Sequence, residues 1–252
     1  MDNKKRNFFE LPDKVLTSLP TGAVKDTVEH LGRKIARGEY PTGAILPRED
    51  ELVDSLGVSR TVVREAIKVL CGKGLVRTAR RYGSRVCPFD DWNLLDPDVI
   101  RWHDPRSPQT ARIYAEATDL RLIFEPEAAA LAAVNASREQ RDTILAAARA
   151  IHPLDGQESM IGADYMFHAT ILQASGNQML SQLQNLIYAV MLFSYAASQR
   201  TPPEEKIARR NHVGVAEAID SGDAELARGR MKDMLVQNKA MADKLVASTL
   251  QE

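Results

Sequence analysis

Leu46-Pro-Arg-Glu-Asp-Glu-Leu-Val-Asp-Ser-Leu-Gly-Val-Ser-Arg-Thr-Val-Val-Arg-Glu-Ala-Ile-Lys-Val-Leu70 decides the fold of the first third of this chain. Leu52, Val53 and Leu56 fall on one face of a short helix. Gly57 stands where that helix must stop, because glycine enters the left-handed conformation of a helix end without a Cβ clash. Ser59 offers a side-chain cap to a second helix, along which Val63, Ala66, Ile67 and Leu70 recur at helical spacing. The other face of that helix begins Ser59, Arg60, Thr61, Arg64, Lys68. The pattern predicts a helix-turn-helix whose basic recognition helix meets base edges and phosphates in a DNA major groove. A pair of amphipathic helices with a merely solvated basic face is the competing reading of this stretch alone.

The flanks favour DNA. Gly72 and Gly74 are followed by Leu75-Val-Arg-Thr-Ala-Arg-Arg-Tyr-Gly-Ser-Arg-Val-Cys-Pro88, which predicts two short strands around a tip at Arg81-Tyr82-Gly83. Such a hairpin behind a helix-turn-helix is a wing, and it carries Arg77, Arg80, Arg81 and Arg85. On the other side, Val24, Thr27/Val28, Leu31 and Ile35 form a helical stripe ending at Gly38. Residues 37–47 then read as a loop, with Pro47 opening the next helix. Residues 1–21 are polar, hold Lys4-Lys5-Arg6, and are expected to form a flexible arm.

The chain has 252 residues and is 44% hydrophobic, enough for two cores. Its net charge of -1 conceals a segregation: residues 22–88 hold 13 Lys/Arg against 8 Asp/Glu, whereas residues 89–252 hold 16 against 23. A basic part that meets phosphates, followed by an acidic part that stays off them, fits that division. No apolar run reaches the roughly 20 residues of a membrane span, and the first residues lack a signal-peptide core, so a cytoplasmic location is expected. Cys71 and Cys87 form neither a disulfide framework nor a metal-knuckle spacing and read as reduced thiols.

Residues 89–106 turn acidic and interleave Trp92 and Trp102 with prolines, so they read as a linker packed against a domain through buried indoles. Beyond 107 the segments 111–136, 138–151, 156–175, 178–199, 203–222 and 223–250 all read as helices. The expected fold is mainly α: a winged helix-turn-helix at 22–88, a linker at 89–106 and an all-α bundle at 107–250.

The residues Ile35, Gly38, Tyr40, Gly43, Leu46-Pro47, Glu49, Glu51-Leu52, Gly57-Val58-Ser59-Arg60, Val63-Arg64-Glu65-Ala66, Leu70, Gly74-Leu75-Val76 and Gly83-Ser84 stand in the order of a known motif. They resemble the winged helix-turn-helix of the GntR superfamily of bacterial transcription regulators. Residues 89–106, with Arg121 to Ala133, Asp164 to His168, Asn211-His212 and Gly222 to Met231, resemble the FadR-like branch with its FCD effector domain, and within it regulators of sugar-acid catabolism of the galactonate-operon type. The resemblance implies operator contacts from Arg60, Arg64 and the wing near Tyr82-Gly83. Where that branch often has an arginine this chain has Asp50, and Arg48 reaches the duplex only from a different face. An arginine at the start of a recognition helix can bond a guanine edge bidentately, worth roughly 1–3 kcal/mol of discrimination. Ser59, Thr61 and Lys68 suit phosphates, and Gly83 lets the wing backbone approach a minor groove. Arg64 has an alternative in an internal pair with Glu65 or Glu49.

Asp164 and His168 are four residues apart and project from one helix face; with His212 from another helix they can hold a divalent cation, or they can form ordinary surface or capping contacts. The resemblance places all three on metal-ligand positions of the FCD domain and implies zinc, nickel or manganese. Its fourth ligand position falls on Met234, whose thioether suits hard divalent ions poorly. Without a metal, the same polar groups would bond an effector directly. Arg121 lies on a stripe of Leu120, Phe124, Ala128 and Leu131 and offers a carboxylate a bidentate partner; internal pairing with Glu125 or Glu116 is the alternative. The whole predicts a homodimeric, ligand-responsive transcription regulator, a repressor, whose effector is a small carboxylate such as a galactonate or gluconate relative and whose other partner is double-stranded operator DNA. A metal-dependent hydrolase using Asp164, His168 and His212 is the competing class; no nucleophile motif accompanies the trio, and His152 beside Pro153 has no assignable partner.

Overall fold

A computed structural model describes residues 19–79, 83–151, 157–197 and 202–249. It divides into two compact units, with the division between Asp104 and Pro105. The arm with Lys4-Lys5-Arg6, the wing residues Arg80, Arg81 and Tyr82, His152 and Gln199 lie outside the described residues.

The N-terminal unit contains α1 (Ala23–Ala36), α2 (Glu49–Leu56), α3 (Arg60–Gly72) and the strands β1 (Val76–Ala79) and β2 (Gly83–Val86). Gly57 ends α2 at φ 65°, and its N–H donates to the Val53 carbonyl. The Ser59 hydroxyl accepts from the Val62 N–H at 3.3 Å and starts α3. Val28, Leu31, Val63, Ala66, Leu70 and Leu75 are buried between these helices and the hairpin, each large one stabilising the unit by about 1.5–3 kcal/mol. The strands are antiparallel, with Arg77 opposite Arg85 and Ala79 opposite Gly83.

Three local expectations change. Pro47 does not open α2; Arg48 is its N-cap, and the Glu51 carboxylate reaches back to accept the Arg48 N–H at 2.7 Å. A proline at that place sits outside the helix, where its missing donor costs nothing. The loop expected over 37–47 includes an extended run: the N–H groups of Gly43 and Leu46 donate to Val86 and Ser84, and Val86 donates to Ala44. The outer edge of β2 thereby gains partners that a two-stranded wing would leave unpaired. Gly83 is a strand residue rather than part of the tip.

Residues up to Asp104 belong to the same unit. A 3-10 turn (Phe89–Asp91) is followed by α4 (Pro97–Arg101) and Trp102, which is fully buried, while Trp92 is half-buried. Gly32 of α1 makes room for the Trp102 ring: a Cβ there would lie 2.5 Å from it. Lys73, at the C-terminal end of α3, donates to Asp96 at 2.6 Å and to Asp98 at 2.9 Å. Arg101 donates to Asp98 at 2.8 Å and to Glu29 of α1 at 3.2 Å. A buried ion pair thus ties α4 to α3 and a half-buried one ties it to α1.

The second unit contains α5 (Pro108–Asn135), α6 (Arg138–Ala150), α7 (Gln157–Ala174), α8 (Gln178–Gln182), α9 (Gln184–Ala197), α10 (Pro202–Ser221) and α11 (Ala224–Thr249), with no strand among its described residues. The helix expected over 178–199 is two helices: it breaks at Leu183, whose N–H takes the Leu180 carbonyl in a tight turn. α5 and α11 pack along much of their length, α5 burying Ala128, Ala129, Ala132 and Ala133, so the backbones approach closely. Arg141 donates to the carbonyls of Ala133 and Ala136 at the end of α5 and of Ile219 and Asp220 at the end of α10. One guanidinium thereby satisfies the C-terminal carbonyls of two helices. No helix among the described residues is long and apolar enough to cross a membrane.

Candidate functional site

Two sets of polar residues stand out, one in each unit. In the N-terminal unit, Arg48, Arg60, Thr61, Arg64 and Lys68 are all exposed. Ser59 is engaged as the helix cap. Arg60, in the first turn of α3, carries no ion pair among the described residues. Arg64 donates from Nε to Glu49 at 2.8 Å and Lys68 to Glu65 at 2.8 Å. The Arg64 side chain remains 62% exposed and that of Glu49 46%, and an exposed pair of this kind is worth at most about 1 kcal/mol. A phosphate or guanine can therefore replace Glu49 at little cost. Across the wing Arg77 directly faces Arg85, both exposed. Like charges in that register repel unless an anion lies between them.

The second set lies inside the bundle. Asp164 and His168 from α7, His212 from α10, and Arg121 and Glu125 from α5 are all buried. The i, i+4 spacing puts Asp164 Oδ1 3.3 Å from His168 Nε2, and His212 Nε2 lies 3.1 Å from the same oxygen. One ligand atom from each of the three falls within 4.8 Å of the others. Phe167, fully buried, backs both imidazoles, with ring centroids 4.9 Å from His168 and 4.8 Å from His212. Arg121 donates from Nε to Glu125 Oε1 and places Nη2 3.1 Å from His168 Nε2. The other Glu125 oxygen meets His168 Nδ1. A carboxylate can only accept, so Nδ1 carries the proton of that bond.

The charges follow from this arrangement. Burial opposes ionisation of Glu125, but the charges of Arg121 and His168 outweigh it and hold the carboxyl at about 2. Burial likewise opposes ionisation of Asp164, yet the His212 charge and the bonds from both imidazoles keep it well below the usual carboxylate range. Burial would lower His168, and the facing Glu125 carboxylate raises it instead.

All four bundle residues singled out in the sequence therefore meet in one place. The stripe assigned to Arg121 is corrected: Phe124 and Ala128 are buried with it, but Leu120 and Leu131 are 37% and 39% exposed. Glu125, considered in the sequence only as a pairing partner, touches both Arg121 and His168; its i, i+4 spacing from Arg121 is the signal that could have found it. Glu116 pairs instead with Arg112 at 2.8 Å. Met234 is buried on α11.

Comparison with known proteins names the frame that these sites occupy. Residues 23–86 match the model of bacterial regulatory proteins of the gntR family, and residues 116–237 match the FCD domain. An uncharacterised helix-turn-helix transcriptional regulator of Escherichia coli K12, YieP, is 34% identical over 206 residues, spanning 79% of this chain and 86% of that protein. The chain belongs to the GntR family. The galactonate operon transcriptional repressor of Escherichia coli K12 is 28% identical over 218 residues, 82% of this chain and 91% of that repressor. A solved structure of Lar, which controls expression of the Listeria monocytogenes agr system, superposes with a TM-score of 0.65 at 20% identity, over 90% of this chain and 99% of that one, and shows the same fold. GntR regulators bind operator DNA and their FCD domains bind small effectors, so this chain is a transcription regulator and not an enzyme. The hydrolase reading of Asp164, His168 and His212 falls with that assignment.

Proposed function

We propose that this GntR regulator is a homodimeric repressor of a catabolic operon whose effector, a sugar acid or similar small carboxylate, docks in the bundle on Arg121 and on a divalent cation held by Asp164, His168 and His212. The observation that carries the reading is the convergence of three electron-pair donors beside a buried guanidinium. Neighbouring ligands of a cation at about 2.0–2.2 Å lie roughly 3.0–3.5 Å apart, and the separations of 3.1 and 3.3 Å to Asp164 Oδ1 fall in that range. The donor set of two imidazoles and a carboxylate suits zinc, nickel or manganese. Such a cation would supply a Lewis-acid centre for carboxylate and hydroxyl oxygens. With Met234 at the remaining family position, effector oxygens or water would have to supply the other ligands. That the galactonate operon repressor is among the relatives supports a sugar acid.

On the DNA side, Arg60 and Arg64 read bases, Ser59, Thr61 and Lys68 hold phosphates, and the wing around Tyr82 and Gly83 approaches the adjacent groove with Arg48 beside it. The exposed Arg60, with no ion pair among the described residues, and the facing Arg77 and Arg85 support this. Dimerisation is supported by the outward face of α5, where Ile123 is 72% and Val134 69% exposed in line with Leu120 and Leu131; a second copy would cover that apolar row. Paired half-sites would then mirror the two-fold axis, and work on operator DNA places the protein in the cytoplasm. The test is a thermal-shift screen of the full chain against sugar acids such as D-galactonate, with added Mn²⁺ or with chelator, followed by retardation of its own upstream promoter DNA. The expected result is a cation-dependent rise in melting temperature with one acid and a change in DNA affinity with the same acid. An acid that stabilises equally well in chelator would remove the cation from the reading.

A further inference from the structure

We propose that Glu125 is the positioning residue of this pocket, holding the anion-binding arginine and a ligating histidine in one geometry. The inference rests on the reading of the pocket given above. The two Glu125 oxygens serve different partners, Oε1 accepting from Arg121 Nε and Oε2 from His168 Nδ1. Arg121 and Glu125 are four apart on α5, whereas His168 comes from α7, so the carboxylate joins two helices at the pocket. Glu125 is 1% exposed, Arg121 2% and His168 1%; water cannot stand in for a lost partner there.

The consequence is a choice of nitrogen. With Nδ1–H held by Glu125, the one proton the His168 ring can release to a cation is that on Nε2, so the lone pair it would offer falls on the atom that faces Asp164 and the space shared with His212. If the ring kept that proton, it would be donated to Asp164 and the ring would present no electron pair to that space. The same carboxylate anchors Arg121 through Nε, so Nη2 is held on the His168 side at 3.1 Å from Nε2. Glu125 touches neither cation nor effector in this arrangement; it acts through the two groups that do. A purely structural ion pair would make no such choice, and buried pairs can often be exchanged for apolar residues without loss of stability.

The experiment uses the full chain with ¹⁵N-labelled histidine and arginine. In the unaltered protein the His168 Nδ1–H and Arg121 Nε–H protons should be observed as slowly exchanging signals, assigned by their disappearance in His168→Gln and Arg121→Lys. Glu125→Gln leaves one acceptor oxygen for two donors. At least one of the two signals should vanish or exchange more than tenfold faster, and Co²⁺ affinity measured by calorimetry should fall tenfold to a hundredfold, the usual effect of losing a partner behind a metal ligand. The double variant Arg121→Met/Glu125→Gln frees the amide oxygen for His168 alone; it should restore the Nδ1–H signal and bring Co²⁺ affinity back to within about threefold. If Glu125→Gln does not fold, this double variant decides the matter by the same two readings. Two unchanged signals in Glu125→Gln, or no recovery in the double variant, would overturn the assignment. If the unaltered protein takes up no Co²⁺, the cation reading of the pocket falls, and the two protons alone decide the role of Glu125.

Discussion

Both units bury a cluster of charges, and the two clusters are built on opposite principles. Around Lys73 every cation meets an anion from another element: Asp96 and Asp98 hold Lys73, while Asp98 and Glu29 hold Arg101. The result is a fastening of α4 to α1 and α3, sealed by Trp102 against Gly32. In the bundle, Asp164, His168 and His212 bring three groups able to ligate one cation within 4.8 Å of one another. Lys73 and Asp98 are as buried as the bundle residues, so burial alone does not separate structure from site. What separates them is the kind of group: an ammonium and a guanidinium offer no electron pair to a cation, so the Lys73 cluster is closed by its own ion pairs, whereas two imidazoles and a carboxylate on one point can exchange their protons for a metal.

That contrast can be broken from either side. Lys73→Met should have the largest effect, because it leaves Asp96 and Asp98 buried without their ammonium; a loss of about 3–5 kcal/mol is expected. The chain has two tryptophans, Trp92 and Trp102, both in the N-terminal unit, so the urea midpoint of tryptophan fluorescence reads that unit alone. Cation binding in the bundle should not change. A stability loss under about 1 kcal/mol, the range of an exposed pair, would mean that the Lys73 cluster fastens nothing. His212→Ala should do the reverse, weakening Co²⁺ binding at least a hundredfold, or about 2.7 kcal/mol, with the fluorescence midpoint unmoved. Retention of full affinity would show that the convergence of the trio is incidental.

Arg60 sharpens the contrast in a third way, since it is a cation on an exposed helix start with no ion pair among the described residues. Arg60→Ala should cost roughly 1–3 kcal/mol in promoter binding at fixed salt and reduce discrimination against unrelated DNA. Arg64→Ala should cost less, because Arg64 must first leave Glu49. Equal losses on promoter and unrelated DNA would reassign Arg60 to phosphate.

Which of these features the sequence discloses depends on how far apart the partners lie. Gly57 and Ser59 are legible because a helix stop and a cap are decided within four residues. Asp164 and His168 are legible for the same reason, while His212, 44 positions beyond His168, needs the family resemblance to join them. Lys73 with Asp98, and Glu125 with His168, bridge 25 and 43 positions, and nothing local in either segment announces the partner. The misreading of Leu120 and Leu131 has a different cause. α5 buries small alanines where another helix comes close and leaves Ile123 and Val134 outward, so side-chain size is a poor guide to which of its faces is inside.

Histidine gives the smallest and most selective comparison. His168 faces carboxylates and is raised. His103 lies among Phe89 and Trp92, with Nδ1 donating to the Val99 carbonyl at 2.9 Å and Nε2 buried without a hydrogen-bond partner among the described residues. Burial outweighs the backbone bonds and lowers it below its ordinary value of 6.5. The folded N-terminal unit therefore keeps His103 neutral while the unfolded chain takes up a proton as the pH falls below about 6.5, so stability is full above that point and declines below it. The decline continues until the folded-state value is reached, at no more than about 1.4 kcal/mol per pH unit. Urea midpoints of tryptophan fluorescence between about pH 7.5 and 5.5, a window that brackets the unfolded histidine value, should show this slope in the unaltered chain and lose it in His103→Phe, which keeps an aromatic ring beside Phe89 and Trp92. A slope that survives the substitution would assign the titration to another group, and the buried imidazole would then be only a spacer in the aromatic cluster.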